Sequence, residues 1–139
     1  MAKGLGPTLS ILVVEDDLAV AELLRTILNR VPGWGATLVH DAAAAREVMR
    51  HVKIEALVLD VNLPGISGPE LLQMLDDDPV WGRPPVFLIS SDVGQPGVPE
   101  ALHSGRAVAA LQKPFDIDEL VALIERATRS DLDTPAPTG

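Results

Sequence analysis

Five short apolar runs alternate with stretches of helical periodicity, and this alternation leaves few folds open. The runs are Ser10–Val14, Ala36–Val39, Ala56–Leu59, Val86–Ile89 and Ala107–Leu111. The Ala56–Leu59 run is too short for a buried helix and long enough for a buried parallel strand, and Ala36–Val39 is a weaker strand expected nearer the sheet edge. Between the runs, apolar residues recur at helical spacing: Val20, Leu24, Ile27 and Leu28; Ala45, Val48, Met49 and Val52; Leu71, Leu72 and Leu75; then Ile117, Leu120, Val121 and Ile124. Strand and helix in strict turn imply an α/β chain, a doubly wound five-stranded parallel sheet with helices on both faces. No second domain or internal repeat is visible.

The punctuation agrees. Asp17, Asp41 and Ser67 are placed to cap the first three helices. Asp116, with Glu119 three residues on, is a capping-box-like start for the last. Pro32 and Gly33 stop the first helix, and Asp76-Asp77-Asp78-Pro79 ends the third as a solvated surface run. The fourth helix is interrupted: Gly94, Pro96, Gly97 and Pro99 predict a loop with at most a short helix around Pro99–His103. Residues 1–9 are expected to form a flexible arm, 10–129 the folded domain and 130–139 a disordered tail. Trp34, Trp81, Phe87 and Phe115 are the only aromatics, so the core must be built from Val, Leu, Ile and Ala.

Where those strands end is where chemistry collects. The first runs into Glu15-Asp16, the third ends on Asp60, the fourth on Ser90 and the fifth leads into Lys113. In a parallel sheet these ends share one edge, where ligands of open α/β folds bind. A lone Asp60 is most simply a strand terminator, but four polar strand ends are hard to call accidental. Glu15, Asp16 and Asp60 would put three carboxylates in one pocket, and two such charges about 5 Å apart repel by roughly 3 kcal/mol at an effective dielectric near 20. The cluster needs a cation or must take up protons. An all-oxygen ligand set suits Mg²⁺. Lys113 supplies a compact positive charge and Ser90 a hydroxyl donor, while Asp60 could attack phosphorus to give an acyl phosphate.

Taken together, Ile-Leu-Val-Val-Glu15-Asp16-Asp17, Leu-Val-Leu-Asp60-x-x-x-Pro64-x-x-x-Gly68, Val-Phe-Leu-Ile-Ser90-Ser91 and Lys113-Pro114-Phe115 resemble the receiver domain of bacterial two-component response regulators. The resemblance covers Ser10 to about Arg129. It implies a flavodoxin-like strand order 2-1-3-4-5 and Asp60 as phosphoacceptor. It implies Mg²⁺ held by Asp16 directly, by Glu15 partly through water, by Asp60 and by the backbone carbonyl of Asn62. Ser90 would be the switch hydroxyl and Lys113 the phosphate-binding lysine. The donor would be a sensor histidine kinase or a histidine phosphotransfer protein, and the domain would catalyse only its own phosphorylation and dephosphorylation. Two positions depart from the family pattern. Ala110 stands where a large, often aromatic residue is usual, and the break at Gly94–Pro99 falls where the fourth helix should begin.

Composition narrows the partners. Acids outnumber bases 20 to 11, for a net charge of −9, which argues against direct nucleic-acid binding and against anionic membrane surfaces. No cysteine is present, which removes thiolate and Cys-metal chemistry. No apolar run reaches membrane-spanning length and no secretory signal is seen, so membrane insertion is not expected and a cytoplasmic location is. The short polar segment after Arg129 leads to the expectation of a stand-alone receiver without an output domain, acting through a downstream protein target, phosphorelay or a homodimer. The alternative is a degenerate receiver serving as a phosphorylation-independent scaffold or dimerisation module. A third reading, an aspartate-nucleophile phosphatase suggested by Asp60-Val61-Asn62, lacks the second acid and has its acidic pair in the wrong order. Simpler roles are expected for the remaining residues: Asp17 a cap, Ser91 a neighbour of the site, His40, His51 and His103 surface residues, Trp34 and Trp81 rim packing, Phe115 an anchor for the last helix, Gly65 and Gly68 loop glycines.

Overall fold

The structure, a computed structural model, describes residues 8–128. Five strands form one parallel sheet: β1 (Leu9–Val14), β2 (Trp34–Val39), β3 (Ala56–Asp60), β4 (Val86–Ser90) and β5 (Ala109–Gln112), in the order β2-β1-β3-β4-β5. The helices are α1 (Leu18–Leu28), α2 (Ala42–His51), α3 (Gly68–Asp76), α4 (Val98–His103) and α5 (Ile117–Thr128), with a single 3₁₀ turn at Pro79–Trp81.

Strand periodicity divides the core into two layers. On one face Leu12, Val14, Leu57, Leu59, Val86 and Leu88 meet α2, α3 and α4; on the other Ile11, Val13, Val58, Phe87 and Ile89 meet α1 and α5. All five residues of β3 are buried, as are all five of β4, which explains why both read as unbroken apolar runs. β2 lies at the sheet edge and only Val39 in it is buried. The stripes of α1, α3 and α5 turn inward as their spacing predicts, through Leu24 and Leu28, Leu71, Leu72 and Leu75, and Leu120 and Ile124.

Several expectations are corrected. Thr8 and Leu9 belong to the fold rather than to an arm: both backbone N–H groups donate to the Gly33 carbonyl (2.7 and 3.0 Å), and Leu9 opens β1. The expectations for residues 1–7 and 130–139 lie outside the described residues. Val52 is 44% exposed, because it is the extended residue that ends α2 and its side chain no longer follows the helical stripe. β5 begins at Ala109, two residues later than the apolar run suggests; Ala107 is buried, but its N–H is used by the Ala101 carbonyl of α4 instead of the sheet. The reciprocal capping box forms at α3, where Ser67 and Glu70 exchange hydrogen bonds (2.8 and 3.2 Å). At α5, Asp116 Oδ1 accepts instead from Asp118 N–H (2.9 Å). Trp81 is half-buried against the core, and the guanidinium carbons of Arg46 and Arg50 each lie 5.8 Å from its ring centre.

Gly68 has a role that a loop glycine would not. It is the first residue of α3, and a Cβ there would fall 2.8 Å from the Asp60 carbonyl oxygen and 3.0 Å from Val61 Cα. The missing side chain lets α3 pack directly on the end of β3. Gly68→Ala is therefore predicted to destabilise the fold by about 1–3 kcal/mol through overpacking. Leu57→Ala, a cavity in the fully buried central strand, is predicted to cost about 2–5 kcal/mol. Urea unfolding checks both; an unchanged midpoint for Gly68→Ala would show that β3 and α3 can separate freely.

Candidate functional site

Each strand delivers its polar residue to the same edge, and local bonds then fix it. The Glu15 N–H extends the sheet by donating to the Val39 carbonyl (3.0 Å), and its carboxylate Oε2 accepts from Asp17 N–H (3.0 Å). Asp17 caps α1 through Oδ1, which accepts from Ala19 and Val20 N–H, and so is a cap as expected. Asp60 closes β3 at 3% exposure. Asn62 N–H donates to its Oδ1 (2.9 Å) and Lys113 Nζ to its Oδ2 (3.0 Å). Lys113 is aimed inward because its own N–H donates to the Ser90 carbonyl (2.7 Å), joining the ends of β4 and β5.

Lys113 Nζ also lies 2.8 Å from Glu15 Oε1. Glu15 is fully buried, and that oxygen accepts no well-aligned hydrogen bond. Burial, followed by the contact with Asp60, pushes the Glu15 carboxyl up to about 7 in the absence of a cation. Burial alone would lower Lys113, but the two carboxylates outweigh it and raise its pKa, so the ammonium stays charged. One cation thus serves two buried acids. Asp16 completes the cluster from the exposed rim, and ligand oxygens of Glu15, Asp16 and Asp60 lie within 4.8 Å of one another. Three close carboxylates served by one ammonium and a purely oxygen donor set fit a hard divalent cation such as Mg²⁺.

Glu15, Asp60 and Lys113 are therefore in direct contact, with Asp16 beside them. Ser90 is buried at the same edge, but its hydroxyl is turned toward the β4–α4 segment: its oxygen lies 3.0 Å from the Asp92 carbonyl and 2.9 Å from Gln95 Oε1. Asn62 meets the site through its backbone N–H, while its side chain pairs with Gln95. Two participants escape sequence reasoning. Gln95 lies in an aperiodic loop and carries no signal. His40 follows the end of β2, the one strand end whose polar residue attracted no role; its Nδ1 lies 3.0 Å from the Glu15 carbonyl, which can only accept, so that nitrogen bears the proton. Beyond Lys113, Val20, Leu23, Leu24, Pro114, Phe115 and Ile117 line an apolar groove of about 310 Å³.

This geometry can be set beside known proteins. The sequence model of the response regulator receiver domain matches residues 11–125. The transcriptional regulatory protein FixJ of Bradyrhizobium diazoefficiens is 35% identical over 121 residues, covering 86% of this chain and 56% of FixJ. The DNA-binding response regulator MtrA of Mycobacterium tuberculosis is 32% identical over 126 residues, 91% of this chain and 53% of MtrA. The chain thus spans about half the length of these relatives. Among solved structures, a Francisella response regulator receiver domain superimposes with a TM-score of 0.78 at 26% identity, over 89% of this chain and 99% of that one. A sensor protein from Polaromonas gives 0.76 at 28% identity, over 89% and 98%. With the family match, the strand order and the acidic pocket in agreement, this chain belongs to the response regulator receiver domain family.

Proposed function

We propose that this receiver takes a phosphoryl group from a phosphohistidine onto Asp60, in a reaction that needs Mg²⁺, and signals through protein docking or phosphorelay. The observation that carries the reading is the buried Asp60 carboxylate held between Asn62 N–H and Lys113 Nζ, beside Glu15 and Asp16. A phosphorylation-independent scaffold would have no need for two buried acids compensated by one lysine. An oxygen of Asp60 attacks phosphorus, a P–O bond forms as the P–N bond breaks, and the imidazole leaves with its electron pair and takes up a proton. Glu15, Asp16, Asp60 and the Asn62 carbonyl would hold Mg²⁺, which when bound supplies positive charge for the acids and the incoming phosphoryl oxygens.

The chain's own groups do the rest. Asn62 N–H and Lys113 Nζ fix the plane of the Asp60 carboxylate before the donor arrives. Lys113, already within the pocket, is positioned to follow the charge from carboxylate to phosphoryl oxygen. Ser90 offers its hydroxyl to another. The groove beside Lys113 is bordered on α1 by Leu23, 53% exposed, with Leu18 further exposed on the same helix; an apolar patch next to the phosphate-binding lysine suits a protein donor better than a small one. The net charge of −9 favours protein over nucleic acid as the partner of this domain.

Intact mass after incubation with acetyl phosphate and Mg²⁺ tests the reading: one phosphoryl adduct is expected on the wild type, none on Asp60→Asn, and none once Mg²⁺ is chelated. An adduct of equal yield on Asp60→Asn would contradict it. The raised Glu15 pKa sets a pH dependence. Glu15 must lose its proton to support a cation, so Mg²⁺ affinity should rise about tenfold from about pH 6 to about pH 8, measured by calorimetric titration. A flat profile would remove Glu15 from the metal site. Leu23→Glu should slow labelling by a phosphohistidine protein that labels the wild type and leave labelling by acetyl phosphate unchanged.

A further inference from the structure

At the other end of the sheet from Asp60, where α2 finishes and β3 and β4 begin, a cavity of about 620 Å³ opens between residues 49–55 and 79–84. Its charge runs against that of the chain. Arg50, His51, Lys53 and Arg83 line it, and Glu55 is the one acid in the lining, in a chain whose net charge is −9. Glu55 is engaged elsewhere, since its Oε1 accepts from Ser10 N–H (2.9 Å). The macrodipole of α2 accounts for the bases in its last turn, Arg50 and His51. It does not account for Lys53 and Arg83, which lie outside the helix.

These cations are weakly held. Arg50 Nη1 lies 3.3 Å from Glu47 Oε1, and both side chains are more than half exposed. Arg83 Nη1 lies 3.4 Å from Asp76 Oδ1, an oxygen that already accepts from Arg106 Nε. Among the described residues Lys53 makes no ion pair. Exposed pairs of this kind contribute little, so both guanidinium groups stay open to a stronger acceptor. The rest of the lining is apolar. Trp81 stands in the wall, Met49 and Ile54 are buried there, and Val80 is left 74% exposed. The guanidinium carbon of Arg50 is 5.8 Å from the centre of the Trp81 ring, so the cationic and aromatic surfaces meet.

We infer that this cavity binds a nucleotide, with its phosphate taken by Arg50, Lys53 and Arg83 and its base laid against Trp81 and Val80. The volume falls within the roughly 300–1,000 Å³ of small-molecule sites. Three cations exceed what one carboxylate uses, whereas a phosphate presents three acceptor oxygens and close to two negative charges. An aromatic wall takes any base, because every base has a stacking face. Phosphate alone would leave that wall wet, and an uncharged ring would leave the cations unmet. The site is remote from Asp60 and does not rest on the phosphoacceptor reading, so either can fail alone.

The test uses the full chain carrying Trp34→Phe, which leaves Trp81 as its one tryptophan, titrated at low salt with AMP, GMP and ATP. At least one should quench Trp81 fluorescence with saturation by about 1 mM. The matching nucleoside and inorganic phosphate should each bind at least about tenfold more weakly, since each makes half of the contacts. Lys53→Glu reverses a charge at an exposed position and should weaken binding by about tenfold or more. Arg25→Glu, the same change of net charge on α1 and outside the cavity, should alter it by less than about twofold. Failure of all three nucleotides to saturate overturns the inference, as does unchanged binding by Lys53→Glu. Inorganic phosphate binding as tightly as the nucleotide would make this a simple anion site and overturn the nucleotide class. A tetraglutamate peptide binding more tightly than all three would assign the cavity to an acidic protein segment and overturn it as well. Calorimetry on the wild type and Lys53→Glu reads the same affinities if Trp34→Phe fails to fold.

Discussion

The site depends on one ammonium group between two buried carboxylates. Lys113 Nζ contacts Glu15 Oε1 and Asp60 Oδ2 at 2.8 and 3.0 Å, and so ties together the ends of β1, β3 and β5. Each partner needs the others. Without Lys113, Glu15 and Asp60 would face each other out of water with no counter-charge, the costliest arrangement a buried pair can adopt. Without the carboxylates, burial would work against the charge on Lys113. A single positive charge does not neutralise three acids, and burial, followed by the contact with Asp60, raises the Glu15 carboxyl. That residual negative field is what a divalent cation answers.

The scaffold around this cluster is rigid where the chemistry needs it. Gly68 lets α3 press against the Asp60 carbonyl, Asn62 N–H holds one carboxylate oxygen, and the Ser90 carbonyl holds the backbone of Lys113. The β4–α4 segment contrasts with this. It carries Gly94, Pro96, Gly97 and Pro99, ends in a six-residue helix, and reaches the site through one amide side chain. Ala110, half-buried on β5 and packed on the same core layer as Val93, offers no bulky side chain to report on Ser90. The amide of Gln95 does contact that hydroxyl.

Much of this was legible in the chain because a parallel sheet converts order into position. The runs ending at Val14, Asp60 and Ser90 define strands by length alone, and right-handed crossovers then leave little choice of edge. That is why Glu15, Asp16, Asp60, Ser90 and Lys113 could be gathered from intervals of tens of residues. What stayed hidden is what no period encodes. Gln95 acts through the path of a loop. His40 binds a backbone carbonyl, which any sequence supplies. Gly68 looks like a turn residue until the distance to Asp60 is known. Val52 and Ala107 obey their patterns in hydrophobicity but lie just beyond the element that the pattern describes, so exposure and hydrogen bonding there follow the helix end and the neighbouring helix.

The central claim is that Asp60, and no other residue at this edge, carries the phosphoryl group. Borohydride reduction of the acetyl phosphate-treated protein, followed by peptide mass analysis, addresses it directly, because an aspartyl phosphate is reduced to homoserine whereas a free carboxylate or a phosphoserine is not. The account predicts homoserine at position 60 alone. An unreduced Asp60 in protein that carries the phosphoryl group, with the modification on Ser90 or another residue, would contradict it.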